Sequence, residues 1–362
     1  MMITDSISQC ILTIGEKYKN HKGGIAAVIN TYSKYFPHFK FIPTYKPVTF
    51  KLYGIPYFIF GLFLITIKLT HDKRIQVVHI HGAAKGSIFR KYMVFLITHY
   101  VYRRKVIYHC HGSEFKLFYD NSGLLCKKII QHFMNNVDLI ICLSRQWELF
   151  FSQNFNNKNI RILENIVEQP INAGARKSNK GVLKFLFLGK IGDRKGIFDL
   201  LDVLRDHKQE LDGTLQLIIG GNGDVRRLQE YININGLHSI VRFEGWIDGS
   251  RKQALLAESD VYILPSYNEG LPISILEAIS YQLPVITTSV GGITEVVYDN
   301  FNGFIVEPGD KAAIYDRLKR FINNPELATH MGEASRSIIK PYFPEAVILK
   351  LEDIYNTLIL KR

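Results

Sequence analysis

The chain of 362 residues has only four cysteines, Cys10, Cys110, Cys126 and Cys142, and their spacing matches no metal-ligand pattern. Four are too few to staple a chain this long, so free thiols in a reducing, cytoplasmic compartment are expected. Low-complexity tracts are lacking, which argues against disorder. Asp-x-Asp does not occur, so the acidic pair that often holds a divalent metal on a diphosphate is missing and no metal or other cofactor is expected. Phosphate charge would have to be met by side-chain cations and helix N-termini. The first ten residues carry Asp5 and polar groups where a signal peptide needs a basic patch and then an apolar run, so export is not expected. The apolar run Leu52–Ile67 has sixteen uncharged residues but includes Gly54, Pro56 and Gly61, and it is shorter than the roughly 20 residues of a bilayer span.

What is present suffices for two cores. Hydrophobic residues make up 47% and charged residues 22% of the chain, and this length exceeds what one core usually serves. The net charge of +12 is uneven: before residue 165 there are 22 Lys+Arg against 8 Asp+Glu, and after it 23 against 25. The basicity of the first half points to nucleic acid, anionic lipid or a pyrophosphate-linked molecule. Nucleic acid is disfavoured, because the basic residues are interleaved with long apolar runs and no binding motif is visible. Tyr92–Tyr102, flanked by Arg90-Lys91 and Arg103-Arg104-Lys105, suits a lipid headgroup region, and with 52–67 could equally form a pair of buried crossover helices.

Short β-rich runs alternate with helix-like stretches, the pattern of α/β folds with parallel sheets. In the first half, strands are predicted near 9–14, 75–80, 105–110 and 138–143, with helices near 25–36, 57–70, 87–103, 121–136 and 145–153. Strands near 183–188, 214–219, 240–243, 260–264, 284–288 and 303–306 repeat the scheme. Two doubly wound domains are expected, 1–170 and 171–343, with Glu168–Lys180 as linker.

The most specific stretch is Asp260–Gly292, which reads as strand, loop, helix, strand, loop. Gly270 permits close backbone approach and Pro272 suits a first helical turn, so the N–H groups of Gly270, Leu271, Pro272's neighbour Ile273 and Ser274 would face an anion. Glu269 and Glu277 bracket this turn, and carboxylates accept hydrogen bonds from the hydroxyls of a sugar or ribose. As isolated glutamates, they could also be a cap and a solvated helix position. Gly189–Gly196 follows a strand and contains Arg194 and Lys195, cations suited to a pyrophosphate. Gly23 and Gly24 feed a helix in the first half, and His79, His81, His109 and His111 sit at adjacent strand ends without the carboxylates that would suggest zinc.

Together these residues resemble glycosyltransferase family 4, retaining nucleotide-sugar-dependent enzymes of the GT-B fold, in which two Rossmann-like domains face across a cleft. From about 183 to 310 the motifs FLGKIGDRKG, IIGGNGD, RFEGWID, ESDVYILPSYNEGLPISILEAIS, PVITTSVGGITEVV and NGFIVEPGD stand in the family's order. The first half adds the Gly23-Gly24 loop, VVHIHG, His111-Gly112 and ICLS, and the helix 344–362 resembles the segment that returns to the N-terminal domain. The resemblance implies that Arg194 and Lys195 hold the donor pyrophosphate, Glu277 the ribose, Glu269 the transferred sugar, and the backbone of Gly270 to Ile273 further donor contacts. It also implies that Gly23-Gly24 closes on the phosphates and that His111 lies beside the reacting centre. A UDP-sugar donor, or a GDP-sugar, a lipid-linked saccharide acceptor and a peripheral place on the inner membrane face in surface-polysaccharide (O-antigen or capsule) assembly are expected. The rivals are a sugar-nucleotide epimerase or phosphorylase on the same fold, and a polyanion-binding module without catalysis.

Overall fold

The computed structural model describes residues 1–19, 23–46, 54–170 and 181–360. The chain forms two units, Met1–Ile166 with Pro344–Arg362, and Val167–Phe343. The passage between them falls at Ile166–Val167, ahead of the expected limit at 170. Residues 171–180 of the expected linker lie outside the described residues.

In the first unit, α1 (Asp5–Cys10) and β1 (Ile11–Glu16) are followed by α2 (Gly24–Ser33), β2 (Phe41–Tyr45), α3 (Gly54–His71) and β3 (Val77–Gly82). Then come α4 (Gly86–Phe95), β4 (Lys105–Cys110), α5 (Phe115–Asp120), α6 (Leu124–Asn136), β5 (Leu139–Cys142), α7 (Arg145–Asn154) and β6 (Ile160–Ile162). The strands are parallel, in the order β2-β1-β3-β4-β5-β6. The winding reverses between β1 and β3, and at such a switch point open α/β sheets take ligands beyond the carboxyl ends of the strands. β3 is buried at every position, as a strand covered on both faces must be. Leu12, Ile14, Val78, Ile80, Tyr108 and Phe133 fill the core, each contributing about 1.5–3 kcal/mol by its burial.

α3 is longer than the uncharged run, because Lys68 and His71 lie in its last turn. Its 18 residues make it long and apolar enough, by length and composition, to cross a membrane, at the short end of such spans. It is not a buried crossover: only 17% of it is buried. Gly61, Ile65 and Leu69 face inward, while Ile55, Ile59, Phe60, Phe63 and Ile67 are exposed. α4 widens into a π-helical turn over Leu96–Val101 instead of running to 103 as one helix.

The second unit holds β7 (Leu183–Leu188), α8 (Ile197–Asp206), α9 (Lys208–Leu211), β8 (Leu215–Gly220), α10 (Val225–Ile234), β9 (Val241–Phe243) and α11 (Gly249–Glu258). It continues with β10 (Val261–Leu264), α12 (Ile273–Ser280), β11 (Val285–Thr288), β12 (Gly303–Val306), α13 (Lys311–Asn323) and α14 (Glu326–Ile338). Its parallel order is β12-β11-β10-β7-β8-β9, with the switch point between β10 and β7. The last helix, α15 (Pro344–Leu360), belongs to the first unit. Val347, Ile348, Leu351 and Tyr355 are buried there, the Thr4 N–H donates to Glu352 Oε1 at 2.8 Å, and Lys350 pairs with Glu164 at 2.7 Å. Each unit is a doubly wound α/β layer structure, as the alternation predicted.

Candidate active site

In the second unit the chain leaves β7 through Gly189–Gly196, and a 3-10 turn over Asp193–Lys195 ends on Gly196 at φ 67°. A Cβ there would lie 2.0 Å from the Pro265 carbonyl oxygen, so only glycine lets this turn press against the loop after β10. Gly291, at φ 62°, closes the opposite side, its Cβ position 2.1 Å from the Glu269 carbonyl oxygen. Glu269 is buried between them. Its Oε1 accepts from Ser266 Oγ at 2.7 Å and pairs with the Lys195 ammonium, and Arg194 stands 3.9 Å from Oε2. Burial draws the Lys195 ammonium below its ordinary pKa, opposed by the facing carboxylate. Arg194 Nη1 also donates to the Asn268 carbonyl at 2.8 Å, so part of its fork secures the loop that carries Glu269.

Pro272 stands immediately before α12, whose first turn has no side-chain cap; the Ile275 N–H donates to the Pro272 carbonyl at 3.2 Å, and the N–H groups of Ile273 and Ser274 can serve an anion. Gly270, Leu271 and Pro272 are buried and Ile273 is half-buried, and the Gly292 N–H fixes the Gly270 carbonyl at 2.6 Å. Glu277, further along α12, pairs with Lys252 of α11. Arg194, Lys195, Glu269, Gly270 to Ile273 and Glu277 therefore gather around the β7 and β10 ends, with each glutamate held by a lysine. The sequence reading missed three neighbours. Ser266 and Lys252 carry no spacing signal, and Lys190, exposed at the end of β7 without an ion pair among the described residues, lies inside FLGKIGDRKG, where the adjacent Arg194-Lys195 pair is the stronger signal.

In the first unit, Gly23 precedes α2 in an extended conformation and Gly24 begins it, with nothing within 4 Å of a Cβ placed there. The Ala26 N–H in this first turn donates to Glu16 Oε1 at 2.9 Å. A phosphate at this helix N-terminus would therefore meet a carboxylate already in place, which the glycine pattern did not disclose. His111 is half-buried, and its Nε2 meets His81 Nδ1 at 2.9 Å. His79 Nε2 meets His109 Nδ1 at 3.2 Å and its Nδ1 the Tyr355 hydroxyl at 2.7 Å. Burial pushes the pKa values of all four imidazoles down, so they are neutral at pH 7. His79, His81 and His109 bring ring nitrogens within 4.8 Å of one another. Two of these nitrogens, His79 Nε2 and His109 Nδ1, already face each other in a hydrogen bond, and no carboxylate belongs to the group.

Residues 26–169 match the family model for Glycosyltransferase Family 4 and residues 169–338 that for Glycosyl transferases group 1. Two doubly wound units bearing these models in succession define a glycosyltransferase of the GT-B fold. The chain belongs to the group 1 glycosyltransferases of family 4. It is 25% identical over 314 residues to a glycosyltransferase of Methanocaldococcus jannaschii, spanning 85% of this chain and 82% of that protein. Over 219 residues it is 29% identical to the phosphatidyl-myo-inositol mannosyltransferase of Mycobacterium leprae, spanning 59% of this chain and 57% of the mannosyltransferase. Among solved structures, Anabaena Alr3699/HepE in complex with UDP-glucose aligns with a TM-score of 0.75 at 17% identity, over 97% of this chain and 99% of that one, a likeness of fold.

Proposed function

We propose that this glycosyltransferase moves a sugar from a nucleotide-sugar donor to a lipid-linked saccharide, with retention at the anomeric carbon and without a metal. The observation that carries the reading is the pair of carboxylates at the carboxyl edge of the second unit, Glu269 against Lys195 and Glu277 against Lys252. Two acids and two ammonium groups around an uncapped helix start suit a ligand that is both polyhydroxylated and anionic. When a diphosphate arrives, Lys195 turns from Glu269 to the phosphate, and the released carboxylate accepts from the sugar hydroxyls. Glu277 takes the ribose hydroxyls in the same way. Negative charge developing on the departing phosphate is stabilised by Lys195, Arg194 and the first N–H groups of α12. No side chain serves as nucleophile: the leaving phosphate accepts the proton of the incoming hydroxyl on the face that it leaves.

A UDP-sugar is favoured over a GDP-sugar, since the fold relative from Anabaena is complexed with UDP-glucose. The lipid-linked acceptor is supported by the basic first half and by a relative that mannosylates phosphatidyl-myo-inositol. A peripheral position on the inner face of the membrane, in surface-polysaccharide assembly, is supported by the exposed apolar stripe of α3 and by Arg103, Arg104 and Lys105, which follow Tyr102, whose hydroxyl lies 2.7 Å from that of Thr70 on α3. Thermal shift with a panel of UDP-, GDP- and TDP-sugars tests the donor, a shift with none of them refuting it. Co-sedimentation with anionic but not neutral vesicles, weakening as salt rises, tests the membrane reading, and equal binding to both kinds contradicts its electrostatic part.

A further inference from the structure

Beyond the end of β2, the first unit carries two cations that rest on aromatic rings instead of carboxylates. The Arg90 guanidinium carbon lies 4.6 Å from the centre of the Tyr45 ring, and Lys46 Nζ lies 5.0 Å from that of Tyr57. Among the described residues neither cation has an ion pair, and the buried Arg90 Nε has no hydrogen-bond partner. Several other cations of this unit meet a carboxylate: Lys40, Lys68 and Arg74 converge on Asp72, and Lys85 meets Glu114. An aromatic face positions a guanidinium without cancelling its charge, leaving its fork free for the paired oxygens of a phosphate.

The location is that of a ligand site. Tyr45 and Lys46 stand at the carboxyl edge of the sheet, beside the β1/β3 switch point, where α4 also begins. Beneath them the ammonium of buried Lys91 donates to Thr44 Oγ1, whose own hydroxyl donates to the Gly15 carbonyl at 3.2 Å. Outward, Ile55 and Ile59 on the first turns of α3 and Phe89 on α4 are exposed. The Glu16 carboxylate acts on Arg90 from a distance but forms no ion pair with it among the described residues, and cations without ion pairs next to exposed apolar helix starts match an anion joined to a hydrocarbon.

We infer that Arg90 and Lys46, set by Tyr45 and Tyr57, bind the phosphate or pyrophosphate of a lipid-linked acceptor, with its hydrocarbon against the first turns of α3 and α4. This rests on the acceptor reading above and gives it residues. Membrane phospholipid and soluble pyrophosphate offer the same anion, so the test separates them. Calorimetry on the full-length protein would use farnesyl pyrophosphate in detergent, inorganic pyrophosphate and phosphatidylglycerol vesicles, with UDP as a reference ligand. Farnesyl pyrophosphate should bind at least tenfold more tightly than inorganic pyrophosphate. Arg90→Gln should weaken it by about tenfold or more and Arg90→Lys by less, as loss of a charge-assisted contact requires. UDP affinity and vesicle binding should stay within about twofold of wild type, which also shows that the variants are folded. Unchanged farnesyl pyrophosphate affinity in Arg90→Gln combined with Lys46→Gln overturns the inference, as does equal wild-type affinity for the two pyrophosphates. An equal fall in vesicle binding overturns it in favour of bulk phospholipid. Absence of nucleoside-diphosphate binding in the wild type would instead strike the donor site and leave these arms readable.

Discussion

Removing Glu269 should cost the second unit far more stability than removing Glu277, although each acid is half of one lysine–glutamate pair. The Lys195 and Glu269 side chains are 12% and 7% exposed, against 30% and 20% for Lys252 and Glu277. Deleting one partner of a buried pair leaves an uncompensated charge, at about 3 to 5 kcal/mol, whereas a partly exposed pair is worth about 1 kcal/mol or less. Arg194, 3.9 Å from Glu269, adds to the asymmetry, because without the carboxylate two cations face each other. A domain of this size loses about 2 to 4 °C in Tm per kcal/mol. Glu269→Ala should therefore lower the melting temperature by roughly 6 to 20 °C, and Glu277→Ala by less than about 4 °C. Calorimetric melting without nucleotide reads both. Adding Lys195→Met to Glu269→Ala should recover part of the loss, since no buried ammonium is then left unpaired. Equal shifts for the two glutamate variants, or no recovery in the double variant, would refute the reasoning.

Three further outcomes are expected. Lys195→Ala should weaken nucleoside diphosphate and intact donor together by about tenfold or more, and calorimetry finding both unchanged would remove it from the phosphate site. Transfer activity should survive EDTA, given the lack of Asp-x-Asp; complete loss restored by magnesium would contradict the metal-free proposal. Burial, reinforced by Arg90 and opposed by Glu16, brings the Lys91 pKa down to about 7, below its unfolded value of about 10.4. Between these values the unfolded chain binds a proton that the folded chain does not, so stability should rise from about pH 7 towards pH 10. Denaturant melts at pH 7 and 9.5 should show that slope flattened in Lys91→Met, and an unaltered slope would place its origin elsewhere.

The strands flanked by turn residues were legible in sequence: Leu183–Leu188 is apolar except for Lys184 and precedes a glycine, and β7 spans those residues. β2 was not foreseen, because FIPTY contains Pro43 and is short; an edge strand tolerates a residue without an N–H, and among the described residues β2 pairs with β1 alone. β6, three residues at the opposite edge, escaped for lack of length. The true extent of α3 was hidden by Lys68 and His71, which cut the uncharged run but not the helix. At the site, Glu269 and Glu277 stood out by their spacing around Gly270 and Pro272. Lys252 did not, since it reaches Glu277 from another helix, and pairings made only by packing leave no trace in local spacing. For the same reason the Glu16 contact with the α2 N-terminus could not be read from Gly23-Gly24.

The most direct test compares a nucleoside diphosphate with its sugar conjugate on the two glutamate variants, by calorimetry below both melting temperatures. Glu277→Ala should weaken both ligands by about tenfold, because both contain the ribose, whereas Glu269→Ala should weaken only the sugar nucleotide. Wild-type affinity of both variants for both ligands would contradict the assignment of these two carboxylates to donor recognition.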